Sequence, residues 1–324
     1  MATLPRVLCL GEILYDLISD EPGVPYAQVK SWTAYPGGAP ANVACALANL
    51  GTSAGFIGCV GADEAGNHLV DLLNQIGVDT SSVQRHDTAP TRKIYVIRTA
   101  DGDRQFVGFG DRDTADFADT QLHKTSLSEQ MFEAAGYLVI GTLEMAYSET
   151  AKATYHALDL AHRHQVKVML DVNWRHMFWN DPEAAPSVIR ALLPRIDFLK
   201  LSDEEAAWLF DTTDPGAIAS QLESVEGVMV TAGEKGCAYC LSGHEGKVPS
   251  FDVEVIETTG AGDSFLAGFI HQLCNHGINA LNSPEQAKEM ITYASAVGAL
   301  TTTKAGAIAA QPTAAEVETF LQKR

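Results

Sequence analysis

Positive charge is scarce in this chain. Its 324 residues carry 22 Lys+Arg against 41 Asp+Glu, a formal net charge of −19. Binding to nucleic-acid phosphate or to an anionic membrane needs clustered Lys and Arg, so neither partner is expected. A local anion site remains compatible with the balance. No apolar run approaches the ~20 residues of a membrane-spanning helix. The strand-like Arg6-Val7-Leu8-Cys9-Leu10 starts too soon after Met1 to leave room for a secretory leader. The sequence has no G-x-x-x-x-G-K-[ST], no H-E-x-x-H and no G-x-S-x-G. A P-loop machine, a zinc protease and a Ser-His-Asp hydrolase are thereby disfavoured. Six cysteines are present, and only Cys237 and Cys240 share a C-x-x-C. No second pair or nearby His completes a zinc set, and the segment 236–241 also reads as a strand. Buried free thiols in a reducing cytoplasm are the expectation. His162 and His164 fall near a helix end, where a structural role is expected.

Core material is abundant. Hydrophobic residues make up 46% of the chain and charged residues 19%, which excludes general disorder. Apolar runs at 54–60, 137–140, 167–170, 198–201 and 228–231 alternate with helical patterns. The helical patterns cover 41–50, 65–76, 148–164, 184–193, 203–210, 262–275 and 285–301. This rhythm predicts a three-layer α/β fold, a mostly parallel sheet with helices on both faces. Ser148 is read as a helix N-cap, and Gly51 and Gly277 as residues just past helix ends. One domain spanning 1–324 fits the length better than two independent halves.

Two segments, about 12–35 and 90–112, break the rhythm. Strand-like 13–18 leads to Glu21-Pro22-Gly23, while 93–98 and 104–107 flank Asp101-Gly102, a hairpin signal. Their pairing into a small separate sheet is predicted, as a lid, as a dimer surface or as a mere edge extension.

The sharpest local feature is Glu257-Thr258-Thr259-Gly260-Ala261-Gly262-Asp263, placed between a strand-like 252–256 and an apolar helix. Small residues at 260–262 let backbone approach a ligand, and the first amides of a helix form an anion site. Asp263 stands beside that site, where a carboxylate can take a proton from an attacking hydroxyl. The same pattern also suits a helix cap after a tight turn. A second glycine segment, Pro36-Gly37-Gly38-Ala39-Pro40-Ala41-Asn42, precedes another helix. There Asn42 offers a donor and an acceptor, and Asp16 could accept from sugar hydroxyls; a plain loop reads equally well.

Taken together, the two segments resemble the paired signatures of the PfkB-type (ribokinase-like) carbohydrate kinases. The first covers Gly37-Gly38, Asn42, Ala44, Gly51 and Gly61. The second runs from Thr258 to Asp263 and through Ala267-Gly268-Phe269. Signatures in order, roughly 200 residues apart, are more specific than either alone. The chain is most similar to the fructokinases in Gly11-Glu12-x-Leu14-x-Asp16, Asp171-x-Asn173-x-Arg175-x-x-Phe178-Trp179 and the stretch 298–308.

The resemblance implies a ribokinase-like fold with a small β-sheet lid, and an ATP-dependent kinase acting with Mg²⁺ and, in relatives, K⁺. It implies Asp263 as base and Gly260, Ala261 and Gly262 as the anion hole. Asp16, Gly37, Gly38 and Asn42 would hold the sugar, with Asn173 and Arg175 near the phosphate path. Thr231, Gly233, Lys235 and Gly236 would follow the nucleotide, and Ala299 to Gly306 would border adenine. Glu205 would organise Mg²⁺ through water, and a homodimer would form through the lid. Three positions depart from the pattern. Glu257 stands where an Asp helps bind a monovalent cation. Arg112 lies one place later than the arginine expected near the hexose, with Asp111 in its stead. Glu144 adds an acid that would disfavour an anionic substrate. The predicted activity is phosphorylation of a primary hydroxyl, most simply of D-fructose to fructose 6-phosphate. Another neutral sugar or polyol, or a silent sugar- and nucleotide-binding protein, are the alternatives.

Overall fold

The computed structural model describes residues 4–99, 104–222 and 224–323. Strands in chain order are β1 (Val7–Leu10), β2 (Leu14–Ser19), β3 (Trp32–Gly37), β4 (Ala54–Gly61), β5 (Asp79–His86), β6 (Lys93–Arg98) and β7 (Arg104–Gly108). They continue with β8 (Tyr137–Ile140), β9 (Lys167–Asp171), β10 (Phe198–Ser202), β11 (Gly227–Thr231), β12 (Cys237–Leu241) and β13 (His244–Val248). Helices are α1 (Ala39–Asn49), α2 (Glu64–Ile76), α3 (Glu129–Ala134), α4 (Ser148–Arg163), α5 (Ala185–Leu192) and α6 (Asp203–Phe210). After them come α7 (Pro215–Ser220), α8 (Ala261–His276), α9 (Pro284–Thr301) and α10 (Ala314–Gln322).

Nine strands among the described residues form the main sheet, in the order β13-β12-β11-β10-β9-β8-β1-β4-β5. It is parallel from β11 to β5 and antiparallel at the β12 and β13 edge. Strand alternation sorts the apolar residues between two faces. Val7, Cys9, Val139, Met169, Phe198 and Met229 pack with α1, α2, α8 and α9 on one side. Leu8, Leu10, Leu138, Leu170, Leu199 and Val228 pack with α3 to α7 on the other. The expected three layers are therefore present. A separate sheet of order β3-β2-β6-β7 uses the two irregular segments, with β3 running two residues beyond the expected boundary. The Asp101-Gly102 turn lies outside the described residues, while β6 and β7 pair antiparallel on either side of it.

Cap chemistry sets several element ends. Asp63 caps α2 by accepting from Gly66 N, and Gly77 ends that helix with φ 98°. Gly51, at φ 87°, follows α1 as expected, and Gly277, at φ 75°, follows α8. Two expectations are corrected. Ser148 is the first helical residue and not the cap: a 3₁₀ turn over Leu143–Ala146 feeds the chain directly into α4, and Tyr147 takes the cap position. The stretch 252–256 is not a strand, because no neighbouring strand pairs with it. It is pinned through Ile256 N to Thr302 O at 2.8 Å, and Val255 and Ile256 lie exposed. The C-x-x-C sits on β12 with both thiols buried and free. No group of three or more His, Cys, Asp or Glu among the described residues is placed to hold a metal.

A buried cation ties the start of the small sheet to the connections that follow β7, β8 and β9. Arg92 is fully buried, bonded to Asp119 Oδ2 at 2.5 Å and to Thr114 Oγ1 at 3.0 Å. Phe109, Phe117, Tyr147 and Phe178 surround the guanidinium at 4.6–5.6 Å. Its backbone carbonyl accepts from Tyr15 N, next to Asp16 on β2.

Candidate active site

The carboxyl ends of β1, β8, β9, β10 and β11 open on one edge of the main sheet, where parallel α/β sheets place ligands. The first glycine segment lies there. Gly38 has φ 108°, and a Cβ on it would meet the Glu12 carbonyl oxygen at 2.5 Å. Only glycine lets the chain turn into α1 at that spacing. Gly37 packs against Asp16: a Cβ on it would lie 3.0 Å from Asp16 Oδ2. Burial lifts the Asp16 carboxyl to about 6, while nearby Arg104 draws it down and Glu257 pushes it up. Glu12 accepts from Ala39 N at 2.7 Å, fixing the first turn of α1.

The second segment meets the first directly. Gly260, at φ 79°, precedes α8, and its hydrogen faces Ala307 so closely that a Cβ would sit 2.9 Å from Cβ of Ala307. Asn42 Nδ2 donates to Asp263 Oδ2 at 2.7 Å, and Gln311 Nε2 donates to the Asn42 carbonyl at 2.8 Å. The two glycine segments thus meet, with Asp16 against Gly37 and Asp263 bonded to Asn42. Burial raises the Asp263 pKa above the usual carboxylate range, and Lys200, the Asn42 hydrogen bond and Arg175 hold it back. That is a carboxylate poised to take a proton.

Lys200 is the residue that sequence reasoning missed. It sits inside an apolar run read only as β10. Its Nζ bonds Asp171 Oδ1 and Oδ2 at 3.0 and 2.9 Å, and lies 2.8 Å from where a Cβ on Gly262 would be. Burial would discharge it, but Asp171, Glu205 and Asp263 keep its pKa above the ordinary lysine value. A fixed ammonium therefore underlies the loop at Gly262. Burial in turn lifts Asp171 to about 6 against the pull of Lys200. The only cue in the sequence was a lysine in an otherwise apolar strand, which requires a buried partner.

Glu205 lies in the same cluster. Its Oε2 accepts from Ser202 N and its Oε1 from Trp174 N, both at 2.8 Å, so it caps α6 and holds the 173–175 turn. Each oxygen keeps a free lone pair. Asn173 adopts φ 35°, and Arg175 is exposed within the field of Asp263. Thr231 ends β11. Gly233 and Gly236, at φ 52° and 88°, shape the turn after it, and the Lys235 side chain is exposed, 3.7 Å from Asp203. Ala299 lies on α9, whose Gly298 packs against the Ala261 carbonyl. Arg112 is exposed, and no hydrogen bond or ion pair of the cluster reaches it among the described residues. Glu144 is buried against Gly11 and Gly141, and its carboxyl group pairs with that of Glu12, with burial the main force raising both pKa values.

Residues 4–314 match the profile of the pfkB family of carbohydrate kinases. The chain belongs to that family. Among curated members it is 32% identical to fructokinase-2 of Oryza sativa subsp. japonica over 320 residues, covering 98% of this chain and 94% of the relative. Among solved structures, the fructokinase of Xylella fastidiosa with bound ATP superposes with a TM-score of 0.89. Identity there is 30%, over 99% of both chains. The fructokinase of Vibrio cholerae O395 in its fructose, ADP and calcium ion bound form gives 0.83 at 26% identity, over 98% of this chain and 99% of that one. That membership makes this a carbohydrate kinase of ribokinase-like fold.

Proposed function

We propose that this kinase transfers the γ-phosphoryl group of ATP to the primary hydroxyl of D-fructose, giving fructose 6-phosphate. The observation that carries the reading is the Asn42–Asp263 hydrogen bond, which locks the two glycine segments around one buried carboxylate. Asp16, Gly37, Gly38 and Asn42 hold and orient the sugar, with Asn173 and Arg175 along the path of the phosphate. Asp263 takes the hydroxyl proton as that oxygen attacks the γ-phosphorus in line. The bond to the bridging oxygen breaks and its electron pair leaves with ADP. The amides of Gly260, Ala261 and Gly262, with Lys200 beneath them, stabilise the charge on the equatorial oxygens. Thr231, Gly233, Lys235, Gly236, Ala299 and Gly306 flank the nucleotide.

The residues present suit Mg²⁺ held mainly by phosphate and water. No all-protein cage exists among the described residues, and Glu205 retains acceptor capacity toward a water shell. When bound, the ion neutralises the β- and γ-phosphate oxygens. The residues do not suit K⁺ at Glu257. Its charge is already compensated by a cation: Oε1 accepts from Arg104 Nη1 at 2.5 Å, and Oε2 accepts from Gly306 N at 3.0 Å. A second cation about 5 Å from that guanidinium would cost about 3 kcal/mol at an effective dielectric of about 20.

The small sheet serves as a lid over the sugar and as the contact with a second copy of the chain. Tyr26, Trp32 and Tyr95 form a half-exposed aromatic trio on it, with ring centroids 5.1–5.7 Å apart. Trp32→Glu is expected to convert a dimer to a monomer in light scattering. The six free thiols support a reducing, cytoplasmic setting. No helix among the described residues is long and apolar enough to cross a membrane.

The deciding measurement is ADP release over a panel of sugars, with Asp263→Asn as the control. Turnover is expected to be best with fructose and to fall by about 10²–10⁴-fold in the variant. A variant with near wild-type kcat and a native circular dichroism spectrum removes Asp263 as the base.

A further inference from the structure

We infer that Arg104, carried by β7 of the small sheet, takes the place of a monovalent cation at the loop leading into the anion hole, so that this kinase turns over without K⁺. The inference rests on the kinase reading above. Its Nη1 reaches Glu257 Oε1 at 2.5 Å and Thr259 Oγ1 at 3.0 Å, and residues 257–259 run directly into Gly260. The other attachments of the loop are to backbone. Glu257 Oε2 accepts from Gly306 N, while Ile256 N and Glu257 N donate to the Thr302 carbonyl at 2.8 and 3.1 Å. Arg104 therefore supplies the only side-chain cation that touches this loop among the described residues.

The charges around it fit that role. Glu257 is mostly buried, with its side chain 11% exposed, and a buried carboxylate needs a compensating charge. Asp16 on β2 feels the charges of Arg104 and Glu257, so the guanidinium that pairs with Glu257 also favours an ionised Asp16. A planar fork also fixes geometry in a way a spherical ion does not, since it reaches a carboxylate and a hydroxyl together. The substitute differs from an ion in one respect. It cannot be diluted away, and it arrives with the small sheet. Arg104 is thus a positioning residue: it acts on the phosphoryl group through the backbone of 257–262.

The test compares wild type, Arg104→Gln and Arg104→Lys in KCl, NaCl and choline chloride at equal ionic strength. Both kcat with fructose and the melting temperature are read. Wild type is expected to vary less than threefold in kcat and to show no K⁺-specific rise in melting temperature. Arg104→Gln should lose tenfold or more in choline chloride. It should regain most of that loss in KCl and melt higher there. Arg104→Lys should keep most of the activity in every salt. Three results overturn the inference: a wild-type rate threefold or more lower in choline chloride, an Arg104→Gln enzyme unaffected there, or one impaired with no K⁺-specific recovery in rate or melting. If Arg104→Gln fails to fold, the wild-type and Arg104→Lys salt series decides alone. If wild type phosphorylates no sugar in any salt, the kinase reading fails, and the melting comparison still decides the role of Arg104.

Discussion

Replacing Lys200 by Met should damage both the fold and the pH profile, for one electrostatic reason. The ammonium is bonded to both oxygens of Asp171 at 2.9–3.0 Å, and both side chains are under a tenth exposed. Removing one partner of such a pair leaves an uncompensated buried charge, at a cost of about 3–5 kcal/mol. The double variant Lys200→Met/Asp171→Leu removes both charges and should recover much of that loss. A urea series on the wild type, the two single variants and the double variant reads this as a coupling energy. The effect on the reaction has a definite sign. Asp263 must be ionised to accept a proton, so activity falls as pH drops through its pKa. Burial already raises that pKa, and Lys200 is the foremost group restraining it. Removing a nearby opposite charge disfavours the ionised carboxylate. The acidic limb of kcat should therefore shift to higher pH. A Lys200→Met enzyme that loses less than about 1 kcal/mol and keeps its acidic limb in place would refute the reasoning.

Three further outcomes follow from single contacts. Gly38→Ala puts a Cβ 2.5 Å from the Glu12 carbonyl at φ 108°. Strain of about 1–3 kcal/mol in the sugar loop should raise KM for fructose tenfold or more, with a smaller fall in kcat. Arg92→Met strands Asp119 among aromatic rings and should cost about 3–5 kcal/mol in urea; adding Asp119→Asn should return part of it. Burial pushes Glu144 from 4.5 up to about 7, so its protonated form favours the fold. That contribution is full below about 4.5 and is lost as pH rises through about 7. Glu144→Gln should flatten the fall in melting temperature between pH 5 and pH 8 relative to wild type.

The layered fold was legible because strands buried on both faces are continuous apolar runs and the helices between them are amphipathic. The strands β8 and β6 were read to the residue. Polar strands were harder. β5 (DTSSVQRH) and β13 (HEGKV) lie at the two edges of the main sheet, where hydrophobic patterning is weak. The stretch 252–256 failed in the opposite direction: its apolar residues suggested a strand, but they have no sheet to face. Within the site, Asp16, Asn42 and Asp263 were legible from glycine spacing, because close backbone approach leaves a mark in the sequence. Lys200, Arg92 and the Glu12–Glu144 pair were not. Each depends on a partner many residues away (Arg92 on Asp119, Lys200 on Asp171), and no local pattern encodes such a distance. Arg112 was selected for its place in a motif, and among the described residues no hydrogen bond or ion pair ties its exposed side chain to the cluster.

The Asn42–Asp263 bond spans 221 residues, and Gln311 completes the same loop from 269 residues away. At synthesis rates of about 5–20 residues per second, the sugar loop waits roughly 10–45 s for the residue that closes it. Throughout that interval α1 has no α8 to cover it, although eight of its eleven residues are buried in the finished protein. β1, β4 and α2 can cover part of α1 early, but its α8-facing side stays open until nearly all of the protein has left the ribosome. The two glycine segments share one fate: a chain interrupted before Gln311 loses the hydrogen bond that supports Asn42.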